Sequence, residues 1–108
     1  MTLVGQTAFE VTEAVKQLGR HVRTARVRRR ISQEELAQKC HITRKTLYAI
    51  EQGSPGIAVG TLFTVLWALG LLGTATGLAD PDFDDHGKIL EAARQQKRVR
   101  SSTDDNDF

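Results

Sequence analysis

A run of twenty-two residues, Ile31 to Gln52, spells two short helices and the tight turn between them. Ser32 with Glu35 has the form of a capping box, in which the hydroxyl takes one free backbone N–H and the carboxylate takes another. Ile31 before that cap and Leu36 after it have the spacing of the hydrophobic staple that accompanies such boxes. A first helix over about 33–40 follows, with Leu36, Ala37 and Cys40 inward. Thr43 then caps a second helix over about 44–52, with Leu47 and Ile50 inward. The apolar share is enough for a compact helical bundle around them. The expected class is therefore all-α, a small helical bundle.

Size and charge narrow the function. At 108 residues the chain makes one small domain with tails, too short for a deep catalytic cleft and its supporting core. No apolar run is long enough to span a bilayer, and Met1-Thr-Leu-Val-Gly5 lacks a charged-then-apolar leader pattern. The single cysteine excludes an intramolecular disulfide and fits a reducing cytoplasm. On the inward face of its helix, Cys40 reads as a small buried thiol. The net charge of +2 hides an asymmetry: residues 1–53 carry +5, residues 54–79 carry no charge, and residues 80–108 carry −3. A basic front half with an acidic tail suits a nucleic-acid binder that has a separate protein-binding or masking segment. His21, His41 and His86 stand far apart with no companions at ligand spacing, so no metal site, catalytic site or cofactor is expected.

Along the chain, residues 1–12 show no period and read as a flexible arm. Thr12 can cap a helix with Val15, Leu18, Val22 and Ala25 as its core stripe. Its other face carries Arg20, Arg23 and Arg26 and ends in Arg28-Arg29-Arg30. The helix dipole favours cations there in any case, and Arg28 and Arg29 are also placed for phosphate contact. Gly53-Ser-Pro-Gly56 is a loop. A fourth helix over about 60–70 is apolar almost all round, with Leu62, Val65, Leu66 and Leu69 on one face and Phe63 and Trp67 on another. Phe63, Trp67 and Leu71 are read as homodimer contacts, since one small bundle can bury only one of those faces. Residues 71–79 alternate loosely and read as a linker or a short strand that pairs across the dimer. The acids of Asp80-Pro-Asp-Phe-Asp-Asp85 open a last helix with Ile89, Leu90, Ala92 and Ala93, which ends near Arg100. Residues 101–108 read as a disordered acidic tail, with Phe108 as an aromatic anchor for a partner. The expected organisation is thus an arm (1–12), a DNA-binding bundle (13–70), a dimerisation segment with a helix (71–100) and a tail.

The outward side chains of the second short helix are Arg44, Lys45, Tyr48 and Gln52. An Arg can fork onto guanine O6 and N7, a Lys can take guanine or a phosphate, and a Tyr offers a hydroxyl to phosphate or a ring to a thymine methyl. The run 32–53 resembles the helix-turn-helix of the Cro/C1-type (XRE) repressor family, with Gln33 opening its second helix, Ala37 at the turn and Glu51-Gln52-Gly53 closing the third. The resemblance covers about 13–71 and implies a lambda-repressor-like bundle that binds double-stranded palindromic DNA. It places Thr43, Arg44, Lys45 and Tyr48 at the bases, and Ser32 and Gln33 at phosphate. One departure is His41, where that family usually has glycine. A narrower likeness is to HipB-type antitoxins. It rests on Phe63 and Leu66, on the segment 71–79, and on the tail from Leu78-Ala-Asp-Pro81 to Lys97-Arg-Val-Arg100. It implies a dimer with a two-stranded lid, a HipA-like kinase toxin as partner, and control of its own operon. The alternative is a stand-alone phage-type or metabolic repressor.

Overall fold

The computed structural model describes residues 4–105, with side chains over residues 8–100. Its elements are α1 (Val4–Arg28), α2 (Gln33–Lys39), α3 (Arg44–Glu51), α4 (Val59–Ala68), α5 (Leu72–Ala75), a 3-10 turn (Pro81–Phe83) and α6 (Asp85–Asp105). Among the described residues there is no strand. The chain divides into two units, residues 1–75 and 76–108.

The first unit is a bundle of α1 to α5. Each of its four main helices places one fully buried aliphatic side chain at the centre: Val22, Leu36, Leu47 and Val65. Around them lie Ala25, Ala37, Cys40, Ile50, Leu66, Leu69 and Ala75, with Ile31, Ile42, Ile57, Leu62 and Phe63 packed at the margin. The two caps form as the sequence requires. Ser32 Oγ accepts the Glu35 N–H at 3.0 Å, and the Glu35 carboxylate accepts the Ser32 N–H at 3.3 Å. Thr43 Oγ1 accepts the Thr46 N–H at 3.1 Å. Each such cap contributes about 1 kcal/mol, which matters for helices of seven and eight residues that could not persist alone.

Four helices in this unit end in the same way. After α1, α2, α3 and α4 the chain takes a left-handed residue: Arg30 (φ 55°), His41 (φ 55°), Gly53 (φ 82°) and Gly70 (φ 76°). In each case the N–H of that residue and the next return to two carbonyls of the last turn, as Gly70 to Trp67 at 3.0 Å and Leu71 to Leu66 at 2.7 Å. This is the Schellman arrangement. In three of the four, the following residue is aliphatic (Ile31, Ile42, Leu71) and packs against the core. The repeated stop turns the chain sharply after each helix and lets so few residues enclose a core. His41 therefore takes the backbone that glycine would take, and the turn between α2 and α3 stays regular, with Ile42 N–H on the Ala37 carbonyl at 3.1 Å.

Three expectations from the sequence are corrected. Helix α1 begins at Val4, not near Thr12, so the arm expected over residues 1–12 is helical from Val4 onward. The apolar period of the sequence continues upstream through Val11 and Ala8 at four- and three-residue steps, although both residues are exposed, and no proline interrupts it. Residues 71–79 form no strand. Gly70 ends α4, Leu71 is drawn back onto the core, and Leu72–Ala75 make a single helical turn that buries Ala75. The bundle thus extends to Ala75, and the loose alternation records one turn of helix followed by turns. The tail expected to be disordered over 101–108 is helical to Asp105; Phe108 lies outside the described residues.

In the second unit, Asp80 caps the 3-10 turn through the Asp82 N–H at 2.9 Å, and Pro81 supplies its fixed φ at the first position. Asp84 then accepts the Gly87 N–H at 2.9 Å and caps α6. The aspartates of 80–85 are used as helix starts, as their positions suggest. Helix α6 carries Ile89, Leu90 and Val99 on its exposed surface.

Candidate nucleic-acid interface

Helix α3 is divided cleanly between an inner and an outer side. Leu47 and Ile50 lie in the core, while Arg44, Lys45 and Tyr48 are exposed. Tyr48 keeps 53% of its surface. Cα–Cβ bonds lean toward a helix N-terminus, so these long side chains project beyond the start of α3. The first turn of α3 thus presents two cations from a backbone fixed by the Thr43 cap, and the second turn adds the phenol of Tyr48. Thr43 itself is exposed, but its hydroxyl is engaged by the Thr46 N–H and lies 2.9 Å from Thr46 Oγ1.

The far end of α3 is held by an ion pair that the sequence reading missed. Glu51 is 4% exposed and is the one buried charged residue among those described. Arg26 of α1 grips it with both arms, Nε to Oε2 at 2.7 Å and Nη2 to Oε1 at 3.0 Å. Its remaining terminal nitrogen donates to the Ile31 carbonyl at 3.0 Å. A bidentate guanidinium–carboxylate pair is among the strongest side-chain contacts, and the Glu51 hydrogen bond pushes the Arg26 pKa further up. Gln33, the first residue of α2, completes the set by donating its amide to Glu51 Oε1 at 3.1 Å. One carboxylate thereby locks α1, α2 and α3 together. Arg26 is removed from the cations free to meet a polyanion. A signal for this was present, because Glu51 follows Leu47 by four residues and so shares its inward phase. A carboxylate there requires a cation on a facing helix.

The packing is also close where α1 crosses the end of α3. A methyl group on Gly19 would lie 2.5 Å from the Ile50 carbonyl oxygen and 2.8 Å from that of Glu51. One on Gly53 would meet the Lys16 backbone at 2.7 Å. Glycine at these positions sets the distance between the two helices.

The residues singled out from the sequence fall into two groups. Arg44, Lys45 and Tyr48 stand free at the start and along the outer side of α3. The others flank the turn between α1 and α2: Arg28 and Arg29 at the end of α1 line a surface with His21 and Leu71, while Ser32 and Gln33 open α2 and Gln33 alone reaches the other end of α3. Of these, Ser32 is exposed with its hydroxyl oxygen engaged in the cap, and Gln33 is half-buried on Glu51. Arg29 donates once to the Ala25 carbonyl at 2.8 Å and keeps its other N–H groups, and Arg28 is exposed.

On α4, Trp67 is 64% exposed, but Phe63 is half-buried against the core and Leu71 is held by the helix stop. The open apolar ridge is better described as Val59, Phe63 and Trp67, at successive four-residue steps; Val59, 65% exposed, was not foreseen. Cys40 is buried with its Sγ 3.9 Å from the Thr64 carbonyl, and burial pushes its thiol pKa up. Among the described residues no group of His, Cys, Asp and Glu is arranged to hold a metal, and no helix is long and apolar enough to cross a membrane.

A family model described as a helix-turn-helix domain matches residues 17–80, more than half of the chain. No curated protein and no solved structure matches it. The matched span contains the capped pair α2 and α3, the pinned end of α3 and its exposed cationic start. The chain belongs to the helix-turn-helix domain family, a DNA-binding fold.

Proposed function

We propose that the chain is a sequence-specific transcriptional repressor that binds double-stranded palindromic DNA as a homodimer. The observation that carries this reading is the outer side of α3: Arg44, Lys45 and Tyr48 are exposed on a helix whose inner side is fixed by Leu47, Ile50 and the buried Glu51. Seated in a major groove, Arg44 forks onto a guanine and Lys45 takes a guanine or the adjacent phosphate. Tyr48 meets a phosphate or a thymine methyl. Arg28, Arg29, Ser32 and Gln33 take the backbone of the same half-site, with Thr43 serving as cap and as a backbone donor. The homodimer draws on the ridge Val59–Phe63–Trp67, with Leu71 at its edge.

The test compares operator with random DNA. Arg44→Ala costs about 1–3 kcal/mol on the cognate site and relaxes preference there, while Arg28→Ala weakens all sequences alike and lowers the salt slope by about one unit. Equal losses on operator and random DNA in the Arg44 variant contradict base reading.

Within this reading we favour an antitoxin that controls its own operon and neutralises a HipA-like kinase toxin. Support comes from the tail motifs Leu78–Pro81 and Lys97–Arg100 and from the exposed apolar residues of α6. The strand lid implied by that likeness has no counterpart in residues 71–79, so Phe63, Leu66 and the tail motifs carry the choice. The competing reading is a stand-alone repressor. Purification from the native host decides between them: a co-purifying kinase supports the antitoxin, and a chain recovered only with itself and DNA supports the stand-alone repressor.

A further inference from the structure

Along its last turns α1 forms, together with Leu71, a recess of about 340 Å³ lined by donors. His21, Thr24, Ala25 and Arg28 share one side of the helix at three- and four-residue spacing, and Arg29 completes the rim. The buried Ala25 and the half-buried Leu71 supply its apolar base. This side of α1 is turned away from α3. Gly19 and Arg26, which meet α3, lie about half a turn round the helix from His21 and Arg28.

The donors are uncompensated. Among the described residues His21, Thr24 and Arg28 have no hydrogen-bond or ion-pair partner, and Arg29 gives one N–H to the Ala25 carbonyl at 2.8 Å. No carboxylate lines the recess, and no acid stands in the sequence between Glu13 and Glu34. Arginine forks pair with carboxylate or with phosphate. Two of them with an imidazole and a hydroxyl suit the three oxygens and near-double charge of a phosphate monoester better than the two oxygens of a carboxylate. The volume lies at the lower end of the range of about 300–1,000 Å³ for small-molecule sites. Ala25 and Leu71 can therefore take a short carbon part beside the anion.

We propose that this recess binds a phosphate group, free or carried on a small organic molecule. The binding does not depend on the role assigned to α3. Its consequence for DNA rests on the backbone contacts proposed for Arg28 and Arg29, since a ligand held by both withdraws them from the duplex.

NMR of the full chain tests the site through the ring signals of its three histidines. The protein is titrated with inorganic phosphate and, separately, with glycerol phosphate, at constant ionic strength set by sodium chloride. His21 should shift saturably while His41 and His86 stay still. Arg28→Ala should weaken the affinity about tenfold or more, through lost charge-assisted hydrogen bonds. Arg23→Ala removes the same charge from the same helix outside the recess, and should change the affinity less than about twofold. Both side chains are exposed, and helicity checks that each variant is folded. Tighter binding of glycerol phosphate identifies an organic ligand, and equal binding identifies free phosphate. The absence of a saturable His21 shift with either probe overturns the proposal. So does equal weakening by the two arginine variants, which would mark diffuse attraction. Saturable binding that leaves operator affinity unchanged keeps the site and removes Arg28 and Arg29 from the DNA backbone.

Discussion

Replacing Glu51 by Gln tests whether the Arg26–Glu51 pair holds the DNA-binding surface in shape. The side chain of Glu51 is 1% exposed and that of Arg26 is 12% exposed, so neither is much screened by solvent. The Glu51→Gln change preserves size but removes the charge, and its NH2 replaces one of the two oxygens that accept from Arg26, leaving a single carbonyl oxygen for Arg26 and Gln33. Arg26 would be left charged in a part-buried site with only neutral acceptors, the Ile31 carbonyl and one amide oxygen. Breaking a buried pair from one side costs about 3–5 kcal/mol, chiefly through the stranded charge. A domain of this size has about 5–15 kcal/mol in total, so the loss removes a large part of the margin. The double variant Arg26→Met, Glu51→Leu leaves no stranded charge, and replacements of that kind are often neutral or stabilising. Urea unfolding of the wild type, Arg26→Met, Glu51→Leu and the double gives the coupling directly, with Glu51→Gln measured beside them. A Glu51→Gln loss below about 1 kcal/mol, or a double variant as damaged as the sum of the singles, would refute the reasoning.

Other perturbations reach different parts of the same argument. His41→Gly relieves a left-handed residue that costs about 1–2 kcal/mol and gives up some unfolded-state entropy, so a net gain of about 0.5–1 kcal/mol is expected in thermal unfolding; a loss would mean that the imidazole makes a compensating contact. Gly19→Ala should destabilise by about 1–3 kcal/mol, despite its better helix propensity, because the methyl meets two backbone carbonyls that cannot move aside. Trp67→Glu should leave a folded monomer by sedimentation at micromolar concentration, and a persistent dimer would place that interface off the α4 ridge. Cys40 should label with a thiol reagent only as fast as the bundle opens, since burial both covers the thiol and raises its pKa; labelling at the rate of an exposed thiol would contradict its packing.

What could be read in the chain was what local rules decide. Both caps, the inward positions of α2 and α3, and the exposed Arg44, Lys45 and Tyr48 follow from residues within four positions of each other. The 71–79 segment failed for the opposite reason. Its leucines and alanines favour helix while its threonines and glycines oppose it, and the outcome was fixed from outside by the stop at Gly70 and the burial of Ala75. The start of α1 failed because Thr12 looks like a cap, while a threonine in mid-helix costs little when the stripe on either side continues.

The site was legible in its parts but not in its support. Arg26 and Glu51 are twenty-five residues apart, and each alone has an ordinary reading, a cation on a polar helix face and an acid near a helix end. Only the inward phase of Glu51 betrays the pair, and only the fold shows that Gln33 is drawn into it. That contact changes what Gln33 can offer a phosphate. Its amide gives one hydrogen to Glu51, so a single N–H remains to offer, in a direction set by the ion pair. A side chain held in this way loses little entropy on binding. The buried pair and the DNA surface are therefore one mechanical unit, in which α1 and α3 are fixed by the same carboxylate that aims the first residue of α2.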